Sequence, residues 1–356
     1  MHIVFRADAS LTIGHGHVMR CASLAQALRA QGADCSFVCA SHAGHLNTYL
    51  RDQGFDVRAL DHTLSDARHN AESLLPNWQD DARATIDAIQ HLSVDWLVVD
   101  HYGLDQAWEM ALSPHVSQLM VIDDLANRAH HCDLLLDANP GRLANDYASL
   151  TPPGCRVLAG PHYALIRHEI SQSRTDTPRP RHQHAPLKVL LTLGGVDKNN
   201  VTSQVLSALN QFDSDAPLDI QVVMGLHAPW LTQVSEMAHS MRWPTQVAHN
   251  PSHFVRLMCT HDIAIGAAGT SALERCCLGL PSINLVLAAN QRLSAQALHA
   301  SHAAALVELQ DGWENALHQQ LRALQQDAPR QAMHIACSHI TDGAGTARVA
   351  REMLHA

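Results

Sequence analysis

The sequence predicts an α/β protein made of two Rossmann-like domains facing each other across a cleft. Short apolar runs alternate with longer amphipathic stretches, the pattern of parallel strands joined by crossover helices. The alternation occurs twice, interrupted at 171–186 by the polar, three-proline stretch "SQSRTDTPRPRHQHAP". At 356 residues the chain exceeds what one core usually serves, and its 46% apolar content can fill two.

The elements follow in order. "HIVFRAD" is a first strand, and "GHVMRCASLAQALRAQG" a helix ending at Gly32. "CSFVCA", "HLNTYLRDQG" and "VRAL" continue the pattern. "DWLVVDHYG", "QLMVIDD", "DLLLDAN" and "CRVLAG" are further buried strands. Several end in Asp, where open α/β sheets present ligand-binding loops. A first domain is thus expected over 1–170 and a linker over 171–186. A second domain, 187–338, restarts with "LKVLLTLGGVDKNN" and continues through "DIQVVMG", "TQVAH", "DIAIGAAGTSALERCCLG", "SINLVLAANQRLSAQALHA" and "ALVEL". The tail, 339–356, carries a helix preceded by Gly343 and Gly345.

Composition narrows the function. A net charge of −10 argues against nucleic acid or an anionic membrane as partner, although helix N-termini and a few arginines can still hold phosphate locally. No apolar run reaches the roughly 18–20 residues that span a bilayer, and "MHIVFRADAS" lacks signal-peptide features. A cytoplasmic monomer acting on a small molecule is expected. The nine cysteines include no C-x-x-C pair; Cys35 and Cys39, and Cys276 and Cys277, read as small buried hydrophobes in a reducing compartment. The 27 histidines offer no three-ligand spacing, so no metal and no cofactor are expected.

The chemistry concentrates at strand ends. Gly14, His15, Gly16 and His17 stand where the first strand turns into a helix. Glycines there let a ligand approach the backbone, and a helix start aims N–H groups and a partial positive charge outward. An imidazole in that field is held neutral, as a general base must be. His17 is the candidate base, with Asp8, Ser10 and Arg20 lining the same loop; a packed histidine and a solvated arginine are the plain alternatives. "GHGHVM" lacks the third glycine of a dinucleotide fingerprint, and no acidic residue ends "CSFVCA". In "GAAGTSALERCCLGLP", Gly269, Thr270 and Ser271 form a small-residue turn into a helix, suited to phosphate. Glu274, three residues after Ser271, fits either a capping box or a carboxylate that accepts a ribose's paired hydroxyls. Gly194 and Gly195 in "LGGVD" make a second close-approach turn, or an ordinary βα turn. "VVDHYG" brings Asp100 and Tyr102 to a strand end, and "AANQ" does so for Asn290 and Gln291. Asp100 fits a helix cap equally well, and Arg167 in "YALIRHE" fits an anion contact or a surface ion pair.

Together, "FRADASLTIGHGHVMRC", "DHYG", "YALIR", "LTLGGVD", "GTSALE", "AANQ" and "DGAGTARV" resemble the pseudaminic acid pathway hydrolase family. Its members cleave UDP-2,4-diacetamido-2,4,6-trideoxy-β-L-altropyranose, a step toward flagellin or surface glycan modification. The likeness runs from residue 3 to about 350, weaker at 171–186 and after "ALVEL". The I-G-x-G-H motif is fairly specific, whereas the second-domain motifs are shared with MurG-like glycosyltransferases. The resemblance implies a GT-B fold, a metal-independent reaction and UDP held by the second domain. It implies His17 as catalytic base and Arg167 and Glu274 as substrate contacts, and it puts Tyr102 and Asn290 at positions beside the sugar.

The expected reaction is attack by water on the anomeric carbon from the face opposite UDP, with inversion. His17 takes the proton, and helix N-termini stabilise the departing diphosphate. Rival readings are a GT-B glycosyltransferase, a non-catalytic UDP-sugar-binding subunit and, third, an epimerase of the same fold. A transferase for lipid-linked acceptors needs an apolar patch on the first domain, and no such cluster lies near its loops.

Overall fold

The computed structural model describes residues 1–60, 78–175, 177, 185–214 and 216–355. They form two compact units, Met1–Leu165 with Gly345–Ala356, and Ile166–Ala344.

In the first unit, β1 (His2–Ala7), α1 (Gly16–Arg29), β2 (Asp34–Ala40), α2 (Asn47–Asp52) and β3 (Asp56–Leu60) come first. They are followed by α3 (Trp78–Ile89), β4 (Trp96–Asp100), α4 (Gln106–Leu112), β5 (Gln118–Ile122), β6 (Leu134–Asp137) and β7 (Arg156–Ala159). The seven strands are parallel in the order β3-β2-β1-β4-β5-β6-β7. Ile3, Val4 and Phe5 are fully buried, because helices cover both sheet faces. One face of α1 (Val18, Cys21, Ala22, Leu24, Ala25, Leu28) packs against Ile3, Phe5 and Phe37. The strand order reverses direction between β1 and β4, whose register sets Ala7 opposite Asp100. That switch point is where doubly wound sheets bind ligands.

The second unit holds α5 (His168–Gln172), β8 (Leu187–Thr192), α6 (Val201–Gln211), β9 (Leu218–Met224), α7 (Leu231–His239), β10 (Thr245–His249) and α8 (Phe254–Thr260). It continues with β11 (Ile263–Ala267), α9 (Thr270–Cys277), β12 (Ser282–Val286), α10 (Arg292–Ala300), β13 (Ala305–Glu308), α11 (Trp313–Gln325) and α12 (Asp327–Ile340). Its six parallel strands, ordered β10-β9-β8-β11-β12-β13, repeat the same winding, with the switch point between β8 and β11.

Several boundaries differ from expectation. Asp8 lies just past β1, and α1 stops at Arg29, with Gly32 (φ 90°) taking the turn beyond. The units divide between Leu165 and Ile166 rather than after 170. Residues 171 and 172 are the end of α5 rather than linker, and 176 and 178–184 of the expected linker lie outside the described residues. Positions 339 and 340 finish α12, and the tail belongs with the first unit. There α13 (Gly345–Leu354) adds Val349, Ala350 and Met353 to the α1 core, and Trp96 Nε1 donates to the Met353 carbonyl at 3.1 Å. A side chain on Gly345 would collide with the Ala164 backbone, so only glycine lets α13 dock so closely.

Cys35, Cys39, Cys276 and Cys277 are buried free thiols. Among the described residues no helix is long and apolar enough to cross a membrane, and no group of three or more His, Cys, Asp or Glu is placed to hold a metal ion.

Candidate active site

At the first unit's switch point, the loop after β1 returns on itself through the paired backbones of Ser10 and Gly14. Gly14 takes φ 83°, and the Ser10 hydroxyl accepts from the Thr12 and Ile13 N–H groups. His15 occupies the α1 N-cap position without a side-chain cap bond, and Gly16, exposed, is the first helical residue. His17 and Arg20, one turn apart, share a helix face. Both reach the end of β4.

There Asp100 is fully buried. Its Oδ1 accepts from His17 Nδ1 at 2.6 Å and from Arg20 Nη2 at 2.6 Å, and its Oδ2 from Arg20 Nε at 2.5 Å. Burial opposes its charge, but Arg20 and then His17 hold the carboxyl well below the usual carboxylate range. An ionised carboxylate only accepts, so Nδ1 of the buried His17 ring carries the proton in that bond, and Nε2 is the nitrogen left for chemistry. No described residue hydrogen-bonds that nitrogen. The Tyr102 ring packs edge-on against His17 with centroids 4.6 Å apart. The Tyr102 hydroxyl donates to Asp124 Oδ2 at 3.0 Å, where Arg20 Nη1 also arrives at 3.1 Å. Burial and then Asp124 push the Tyr102 hydroxyl well above its ordinary range, so it stays a phenol. The structure therefore gathers His17, Arg20, Asp100 and Tyr102 as a unit.

Some plain alternatives fall away. Asp100 caps nothing: the α4 cap is Asp105, whose Oδ1 accepts from the Ala107 N–H. Arg20 is held by two carboxylates rather than solvated.

The expected ligand contact at Asp8 is corrected. Asp8 is fully buried, with its oxygens on Arg6 (2.5 and 2.9 Å) and the Ala40 N–H (2.7 Å). Burial raises its pKa, but Arg6 more than offsets that and brings it to about 2. Asp81 binds the other side of Arg6, so this group pins the floor of the site. His101 stands 3.4 Å from Asp8; burial lowers its pKa to about 4 despite that carboxylate. Asp124 was missed by sequence reasoning. The signal was present: it is the second aspartate of "VIDD", the same strand-end feature that flags Asp100.

In the second unit, Gly194 takes φ 93° after β8, and the Gly195 carbonyl lies where a side chain on Gly225 would be, so the two turns pack backbone to backbone. The N–H groups that open α6 are already used: Val201 and Thr202 donate to the Asp197 carboxylate at 2.9 Å each. The start of α9 is different. Gly269 is its N-cap with no side-chain bond, and exposed Thr270 and half-buried Ser271 form the first turn. Like several other helix starts of this unit it has no side-chain cap bond, and its leading N–H groups and dipole suit an anion.

The capping-box alternative for Glu274 is overturned, because the helix starts at Thr270 and Glu274 lies beyond the third position. Both Glu274 oxygens instead accept from Arg167, Oε1 from Nε at 2.7 Å and Oε2 from Nη2 at 2.9 Å. The resemblance gave each of these residues a substrate role; the structure makes them a bidentate pair. Gln291 Oε1 accepts from the Leu287 N–H at 3.0 Å, and its Nε2 faces Gly269. Asn290 is half-buried on the same short 3₁₀ turn.

No protein-family model matches the chain. Over 209 residues, 59% of this chain and 66% of the other, it is 29% identical to the UDP-2,4-diacetamido-2,4,6-trideoxy-beta-L-altropyranose hydrolase of Campylobacter jejuni. The match spans just under two thirds of that protein and is shorter than the run of motifs from 3 to 350. The chain is 23% identical to the spore coat polysaccharide biosynthesis protein SpsG of Bacillus subtilis, over 98% of this chain and 96% of that one. In structure it resembles Acinetobacter baumannii MurG, with TM-score 0.69, 16% identity and coverage of 100% and 99%. The chain thus has the GT-B fold, and its sequence is similar to that of a UDP-sugar hydrolase.

Proposed function

We propose that the protein hydrolyses UDP-2,4-diacetamido-2,4,6-trideoxy-β-L-altropyranose to UDP and the free sugar, within pseudaminic acid biosynthesis. The observation that carries this reading is the 2.6 Å bond from His17 Nδ1 to buried, ionised Asp100. It leaves a basic Nε2 at the first unit's ligand-binding switch point.

Water loses a proton to Nε2 as its oxygen bonds to the anomeric carbon. The bond from that carbon to the β-phosphate oxygen breaks, and its electron pair leaves with UDP. The imidazolium so formed is stabilised by Asp100, and backside attack inverts the anomeric centre. UDP is already a good leaving group, so no acid is needed opposite the base, unlike an ordinary glycosidase. The uncapped α9 start takes the diphosphate, and Glu274, oriented by Arg167, takes the ribose hydroxyls. Tyr102 and Asn290 are assigned to the sugar.

The test is an NMR time course with the UDP-linked diacetamido sugar. Wild type releases UDP without an added acceptor and forms the inverted anomer first. H17L lowers kcat by at least 10²–10⁴, the usual worth of a base, and leaves UDP affinity nearly unchanged. Release that needs a sugar acceptor identifies a transferase, no release identifies a binding protein, and an active H17L removes His17 from the chemistry.

A further inference from the structure

Beneath the turn 266–271 lies a charge that the proposed reaction does not use. Arg275, in the second turn of α9, is 1% exposed. Its guanidinium occupies space that only a glycine at 266 leaves open, since a Cβ there would stand 2.5 Å from Nη1. Nη2 donates to the Ala267 carbonyl at 2.8 Å and to Asn284 Oδ1 at 2.7 Å, and Nη1 to the Ser271 hydroxyl at 3.2 Å. Buried Nε has no partner among the described residues.

Every acceptor is neutral. The adjacent carboxylate, Glu274, has both oxygens on Arg167. Arg6, equally buried in the first unit, shows the contrast: it is matched by two carboxylates. A buried cation with no hydrogen-bonded anion is costly, and Glu274 favours this one only through space. Burial lowers the Arg275 pKa to about 10, so the group remains charged at neutral pH.

We propose that Arg275 is a positioning residue whose charge is the standing counter-ion for the substrate's diphosphate at the open start of α9. It acts through the Ala267 carbonyl and the Ser271 hydroxyl, which it holds in place. The assignment rests on the nucleotide reading of this turn. It makes the site selective for phosphate charge, separately from the contacts that recognise uridine.

The experiment measures UDP binding by calorimetry and uridine binding by ligand-observed NMR, in wild type, R275Q and R275K. Glutamine keeps an amide donor and removes the charge; lysine keeps the charge and loses the fork. A unit charge about 10 Å from a phosphate, at an effective dielectric near 20, is worth on the order of tenfold in affinity. R275Q is expected to weaken UDP by about that factor and uridine by less than about twofold, and R275K to keep the UDP-to-uridine ratio. Equal losses for both ligands, an unchanged UDP affinity in R275Q, or a collapsed ratio in R275K overturns the proposal. Should R275Q fail to fold, the R275K ratio decides. A wild type that does not prefer UDP to uridine refutes the nucleotide reading itself, whereas a preference that is undiminished in R275Q refutes only the role of Arg275.

Discussion

Asp100→Asn is the sharpest probe of the first unit's site. Asp100 accepts three short bonds, from His17 Nδ1, Arg20 Nε and Arg20 Nη2, at 2.5–2.6 Å. An asparagine has one acceptor end. With its NH₂ at the Oδ2 position, Arg20 Nε faces a donor. With its NH₂ at the Oδ1 position, both Arg20 Nη2 and His17 Nδ1 face a donor. The ring then accepts at Nδ1 and carries its proton on Nε2, which cannot take one from water. In either arrangement Arg20 loses one of its two carboxylate partners while Asp124 remains, so the cost falls below the about 3–5 kcal/mol of a fully broken buried pair. Where the amide turns its NH₂ to His17, the wrong tautomer costs about 10³–10⁴ in kcat, as for a catalytic histidine and its carboxylate in serine hydrolases; in the other orientation the ring keeps its tautomer but loses the negative charge that stabilises the imidazolium. The assay is UDP release under saturating substrate, with thermal unfolding and UDP affinity measured in parallel. The expected result is a large loss of kcat and a lowered Tm, with UDP affinity within about twofold because the proposal assigns that ligand to the other unit. A folded D100N within tenfold of wild-type kcat refutes the reasoning.

Two further predictions concern neighbouring charges. His101 is buried neutral with a pKa near 4, below its ordinary 6.5, so the unfolded chain binds its proton first as pH falls. Its contribution is therefore full above about 6.5 and lost between about 6.5 and 4, up to about 3 kcal/mol. Burial raises Asp137 to about 6, which works in the opposite direction over part of this range. The informative quantity is accordingly the Tm of wild type minus that of H101Q, which should grow from pH 4 to 6.5; a flat difference contradicts the burial account. For the Arg167–Glu274 pair, E274Q and R167M should each raise KM about tenfold with little change in kcat. The double variant should be no worse than either, because two groups in one bidentate contact couple; additive losses would mean that they act separately.

Much of the fold was legible because it is written locally. The apolar runs of β1, β4, β8 and β11 are buried on both faces, so they stand out without alignment. The strand-end Asp100 and the glycine turns at 14 and 269 mark loops by chemistry that a single residue carries. Element ends were less clear: Gly32 signalled a stop, yet α1 ends three residues earlier, and a hydrogen-bonded turn over residues 30–33 with Gly32 at positive φ closes it. Asp8 and Asp100 look alike in sequence, each closing a strand. Only packing separates them, since Arg6 takes the first and Arg20 and His17 the second.

The sequence by itself determined the two doubly wound units, the glycine turns and the identity of the candidate base, because periodicity and backbone freedom are properties of neighbouring residues. Partnership was decided by tertiary structure. Asp100 meets His17 across 83 positions, Arg167 meets Glu274 across 107, and α13 returns to α1 from the far end of the chain. No local pattern encodes such pairs: which carboxylate faces which cation depends on strand order and on how deeply each is withdrawn from water.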